Sequence, residues 1–129
     1  MEYYLILLGR VLLGGYFIKN GVNHLKNSKA LTPYAASKGV PSPAMAVLVT
    51  GVMLLLGGLG ILLGIYVRLA ILLLVLFLIG TLIKMHPYWT VTDPMARMGE
   101  NVNFYKNIAL IGALLLLLAI PLPWVPSLM

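Results

Sequence analysis

In 129 residues, 61% are hydrophobic and 9% charged, against roughly 45–50% hydrophobic in an ordinary soluble domain. One small soluble core cannot bury that much apolar surface, so the solvent of this chain must largely be lipid. Its formal charge of +6 comes without a basic stripe or an aromatic RNA-binding platform, and it has no cysteine. Nucleic acid is therefore excluded as a partner, as are disulfides, thiolate nucleophiles, Cys-ligated zinc and iron–sulfur clusters.

Uncharged runs at 11–18, 39–67, 69–83 and 107–129 predict an all-α, polytopic membrane protein, an antiparallel bundle of four transmembrane helices. Four spans of about 20 residues leave no room for a soluble catalytic domain. The first, 3–24, has no basic n-region and too long an apolar stretch for a signal peptide, so it reads as a retained helix. Residues 25–42 read as a polar, basic loop, with Lys26, Lys29 and Lys38 and with breakers at Pro33, Gly39 and Pro41. The second span, 43–64, opens on Pro43, which suits a first helical turn. Residues 65–67 allow only a tight hairpin between antiparallel helices.

The third span, 68–86, is roughly 28 Å of helix, enough if Arg68 and Lys84 snorkel to opposite headgroup layers. Pro87 ends it, because a proline disfavours helix at the residue before it. Tyr88 and Trp89 follow as interface anchors. Residues 90–102 read as the second loop, and the fourth span is 103–122. Both chain ends then lie on one side. The loop end carries Lys19, Lys26, Lys29, Lys38, Lys84, Arg97 and Lys106, against Arg10 and Arg68 at the other. The positive-inside rule places the loops in the cytoplasm of a multi-pass plasma-membrane protein.

Helical spacing puts Arg10, Gly14, Phe17, Gly21 and His24 on one stripe of the first span, within about 40° of Arg10. An arginine that far into a span faces a partner or a cavity. The spans contain no acid to pair with it. Backbone carbonyls, Thr50, Thr81, a ligand or another subunit remain as partners. Antiparallel threading sets Arg10 near the level of Gly57 and Gly58. At the loop end the same threading gathers Asn20, Asn23, His24, Lys84, His86, Asn103, Lys106 and Asn107. Amides and cations without carboxylates suit an anion or a carbonyl-bearing ligand such as a quinone. An interfacial polar rim has the same composition. Two histidines are too few for a zinc site, so no metal is expected. Gly60 and Gly64, with Gly51, Gly57 and Gly58 nearby, mark close helix–helix contact, within the bundle or between protomers of a homo-oligomer.

The chain resembles the DoxX family of small four-helix membrane proteins over nearly its whole length. The resemblance is carried by LGRVLLGGYFIKNGVNHL at 8–25, YAASKGVPSPAMA at 34–46 and LLGGLGILLGIYVRLA at 55–70. The most distinctive segment is MHPYWTVTDPMARMGENVNFYKNIALIG at 85–112. Arg10, Gly21, His24, Gly58, Gly64, Arg68, His86, Trp89, Lys106 and Asn107 fill recurring family places. Some relatives are linked to a membrane thiosulfate:quinone oxidoreductase, others to oxidative-stress assemblies with soluble enzymes. Many have a glutamate just before the double glycine of the second span. Leu54 stands in that region here, which weakens any proton-linked role resting on that acid.

No self-contained catalytic constellation is legible. The expected function is therefore a membrane subunit of a redox-linked assembly, an oxidoreductase subunit that binds a quinone or oxyanion at the loop-end cluster. Arg10 and the glycine-rich contacts support an oligomeric small-molecule carrier or channel as the alternative, and a non-catalytic scaffold for soluble partners is the third reading.

Overall fold

A computed structural model of the chain describes residues 2–85 and 88–124. Five helices follow in order: α1 (Glu2–Lys26), α2 (Ser28–Ser37), α3 (Pro43–Leu63), α4 (Val67–Lys84) and α5 (Pro94–Leu118), with a 3₁₀ turn at Tyr88–Thr90 between α4 and α5. No strand occurs among the described residues. α1, α3, α4 and α5 are long and apolar enough to cross a membrane. The protein is an all-helical, multi-pass membrane protein.

Several boundaries depart from those read in the sequence. The basic segment expected to be a loop contains α2, because Ala30, Leu31, Ala35 and Ala36 favour helix and Gly39, at φ 77°, is where the chain turns. α5 starts at Pro94 rather than near Asn103. Asp93 caps it, its Oδ2 accepting the Ala96 N–H at 2.9 Å, with Pro94 in the first turn. Polar composition marked where this helix leaves the membrane, not where it begins. α4 ends at Lys84, with Met85 as its C-cap, and the expected end at His86 lies outside the described residues.

The α3–α4 hairpin closes on Gly64, left-handed at φ 71°, whose N–H returns to the Gly60 carbonyl at 2.9 Å. This is the usual glycine stop of a helix. Tyr66 follows at φ 45°, a conformation disfavoured for a residue with a Cβ, and α4 begins at Val67.

Lipid is as apolar as leucine, so helices in it associate through close packing rather than hydrophobic expulsion. Contact between α1 and α3 is accordingly backbone on backbone. An added Cβ on Gly14 would lie 2.9 Å from the Gly58 carbonyl oxygen, and one on Gly21 would lie 2.8 Å from Leu55 N. α4 packs on the other side of α3, with Leu74 against Gly57 and Ala70 against Gly60. α5 packs against α4, and α2 lies against α3. Phe17, Leu54, Ile61, Ile71, Leu74, Leu78 and Leu114 form the buried core. Among the described residues, α1 and α5 nowhere bring Cα atoms within 8 Å of each other. A groove of about 390 Å³ runs between them, lined by Gly9, Leu12, Leu13, Tyr16, Lys106 and Leu110.

Candidate functional site at the loop end of the bundle

Polar side chains inside the bundle form two separate groups. At the end of the α3–α4 hairpin, Arg10 is 2% exposed and directs Nε to the Ile61 carbonyl and an Nη to the Leu62 carbonyl, both at 3.0 Å. These carbonyls belong to the last turn of α3, where no N–H of the same helix remains to receive them. The guanidinium also sits 5.4 Å from the Trp124 ring centroid, within cation–π range. Its level is that of Ile61 and Leu62, one turn beyond the Gly57–Gly58 pair, and Gly14 lies opposite Gly58 instead. Thr50 and Thr81, two hydroxyls considered for Arg10, bond other partners towards the loop end.

There α1, α2, α3 and α4 line an open-sided cavity of about 450 Å³. Most of its lining is apolar, including Leu31, Val47, Met53, Leu76 and Phe77, and the polar side chains are His24, Tyr34, Thr50, Thr81 and Lys84. His24 is half-buried, with Nδ1 3.1 Å from Thr50 Oγ1 and 3.3 Å from the Val47 carbonyl oxygen. Its ring meets Phe77 edge-on at 5.8 Å. Thr50 donates its own hydroxyl proton to the Ala46 carbonyl at 2.6 Å. The wall of α4 is built the same way: buried Asn107 of α5 donates from Nδ2 to Thr81 Oγ1 at 2.9 Å, and Thr81 donates to the Leu78 carbonyl at 2.9 Å.

The DoxX family model matches residues 5–87, which span α1 to α4 and so include every helix that lines this cavity. The chain belongs to the DoxX family. Inner membrane protein YphA of Escherichia coli (strain K12) is 34% identical over 114 residues, covering 88% of this chain and 80% of that protein. No solved structure matches the chain.

In this DoxX protein the polar residues gathered by sequence threading divide between different faces. His24 and Lys84 share the cavity. Asn107 stands behind its wall through Thr81. Lys106 is exposed and lines the α1–α5 groove instead. Asn20 and Asn103 are half-buried and line neither space, and Asn23 is exposed, accepting from Asn27 Nδ2 at 2.5 Å. Arg10 bonds the last turn of α3 and does not line the cavity, and His86 lies outside the described residues. Trp89, expected as an interface anchor, is exposed and edge-on to Phe104 at 5.4 Å.

Tyr34 was not among the candidates, because it sits in a segment read as loop. Leu31, Tyr34 and Ala35 follow i, i+3, i+4 spacing and all line the cavity, so that periodicity was the available signal. The Tyr34 hydroxyl donates to Glu100 Oε1 at 3.5 Å, and Lys38 Nζ meets the same oxygen at 3.5 Å. Together they tie α2 to the start of α5. Burial and then the neighbouring Glu100 carboxylate push the Tyr34 phenol above its ordinary range. A raised pKa means the stabilisation is complete below the unfolded value of about 10 and is lost as pH rises through the folded one. Thermal stability in detergent should therefore fall more steeply above about pH 10 in the wild type than in Tyr34→Phe.

Proposed function

We propose that this protein is an integral membrane subunit of a redox-linked assembly and that it binds a quinone-type ligand in the loop-end cavity. The cavity itself carries the reading. Its volume of about 450 Å³ is in the range of small-ligand sites, which are mostly apolar with a few convergent polar groups. A quinone has that balance, a flat apolar ring with polar oxygens at its edge. A free oxyanion fits less well, because Lys84 is the cation among otherwise apolar and neutral lining residues. The carrier alternative drew on Arg10, whose guanidinium is taken up by the α3 carbonyls. The name of the E. coli relative supports a plasma-membrane location, and the positive-inside count supports a cytoplasmic loop end. Electron transfer then falls to a partner subunit or a bound cofactor.

Titration of the detergent-solubilised protein with decylubiquinone or a short-chain menaquinone, followed by quenching of intrinsic tryptophan fluorescence, tests this. Saturable binding is expected. Ala46→Phe, which places a ring in the cavity, should weaken it at least about ten-fold, since a filled pocket excludes its ligand. Lys106→Ala, on the α1–α5 groove, should leave it unchanged. Quenching without saturation, or saturation indifferent to Ala46→Phe, rejects the reading.

A further inference from the structure

The hydrogen bonds around His24 determine which ring nitrogen carries the proton. Nδ1 faces the Val47 carbonyl at 3.3 Å and Thr50 Oγ1 at 3.1 Å. A carbonyl oxygen can only accept. The Thr50 hydroxyl has carbonyl acceptors in its own helix, Ala46 at 2.6 Å and Val47 at 3.1 Å, and with its proton on the nearer one its oxygen presents a lone pair to the ring. With both neighbours of Nδ1 presenting lone pairs, the geometry favours the tautomer in which Nδ1 carries the proton. In the neutral imidazole, Nε2 is then an unprotonated acceptor. Among the described residues the hydrogen bonds of His24 are made at Nδ1, while the ring lines the cavity.

The other polar groups of the wall are arranged in the same sense. Thr50 and Thr81 donate to carbonyls of their own helices, and the Tyr34 hydroxyl donates to Glu100. The amide of Asn107 is engaged by Thr81. Lys84 retains donors, but an ammonium donates equally well to a carbonyl or a hydroxyl oxygen. It does not distinguish ligands that differ only in that respect.

We infer that the cavity selects the reduced, hydroxyl-bearing form of its ligand, a hydroquinone or related phenol, whose O–H donates to His24 Nε2. This rests on the quinone reading above and deepens it. A quinone carbonyl brought to the same nitrogen would set one lone pair against another. The discrimination lies in a single hydrogen bond made by one oxidation state and denied to the other, and a site that requires a substrate hydroxyl disfavours the analogue lacking it.

Decylubiquinol and decylubiquinone should be titrated anaerobically against the detergent-solubilised protein at pH 8, above the ordinary histidine range of about 6.5. The quinol is expected to bind about ten-fold more tightly, the size of effect one hydrogen bond supports. His24→Phe keeps a flat ring against Phe77 and removes both nitrogens. It should reduce quinol affinity about ten-fold and leave quinone affinity within about two-fold, abolishing the preference. Thr50→Val, nearly isosteric, removes one acceptor that holds Nδ1–H and should narrow the preference without abolishing binding. Nitrogen-15 NMR of labelled histidine in a His86→Gln background reads the tautomer without any ligand, and should show Nδ1 protonated and Nε2 bare. An Nε2–H tautomer, equal affinity for the two forms, or a preference that survives His24→Phe overturns the inference and leaves the quinone site standing. Binding of neither form overturns both.

Discussion

Arg10→Leu should destabilise the detergent-solubilised protein by roughly 2–4 kcal/mol, even though it exchanges a charge for a residue that membranes favour. The reason lies in α3. A helix end leaves its last carbonyls without intrahelical donors, and in lipid no water replaces them. Gly60 is answered by the N–H groups of Gly64 and Ile65. Ile61 and Leu62 are answered by the guanidinium of Arg10. Leucine would strand both carbonyls, each at about 1–3 kcal/mol where buried. Arg10→Lys should recover little, because one ammonium cannot reproduce a planar fork that reaches two carbonyls at once. Thermal denaturation in detergent decides the matter. If the Leu variant unfolds at or above the wild-type temperature, the capping role is wrong.

The second large effect is expected along the α1–α3 contact. Gly58→Ala would bring a Cβ to 2.8 Å from the Gly14 carbonyl oxygen and 2.9 Å from Ile18 N. Gly21→Ala would bring one to 2.8 Å from Leu55 N and 2.9 Å from the Gly51 carbonyl oxygen. Apart from Ile18 Cγ1, 2.8 Å from the Gly58 position, the obstacles are backbone atoms, so relief requires the two helices to part. Overpacking of this kind costs about 1–3 kcal/mol. Separation would also disturb the register that lets Arg10 reach the end of α3, so Gly58→Ala and Arg10→Leu should combine non-additively. Gly9→Ala and Gly112→Ala are the controls, since an added Cβ at either meets nothing within 4 Å. They should be neutral or slightly stabilising, as alanine is the better helix former. Loss of stability at the open positions equal to that at Gly58 would show that helix packing is not the cause.

Hydropathy and helical periodicity are local properties, and what depends on them was legible in the chain itself. The crossing helices, the tight α3–α4 hairpin and the lack of thiol chemistry follow from runs of apolar residues, the short link at 65–67 and the absence of cysteine. Spacing alone identified the face of α1 that is buried, since Arg10, Gly14, Phe17 and Gly21 share it. Spacing did not show how that face meets its neighbours. One residue along a helix is about 100° of rotation and 1.5 Å of rise, and hydrogen bonds are decided within a few tenths of an ångström. Tertiary packing therefore turned Lys84 towards the cavity and Lys106 towards the opposite groove. It brought Tyr34 onto the cavity wall from a segment that reads as loop. Of the donors gathered at the loop end by threading, those of His24 and Asn107 are engaged inside the protein, by Val47, Thr50 and Thr81. A sequence counts the donors and acceptors a site contains; only the folded chain shows which of them still face a ligand once the protein has satisfied its own.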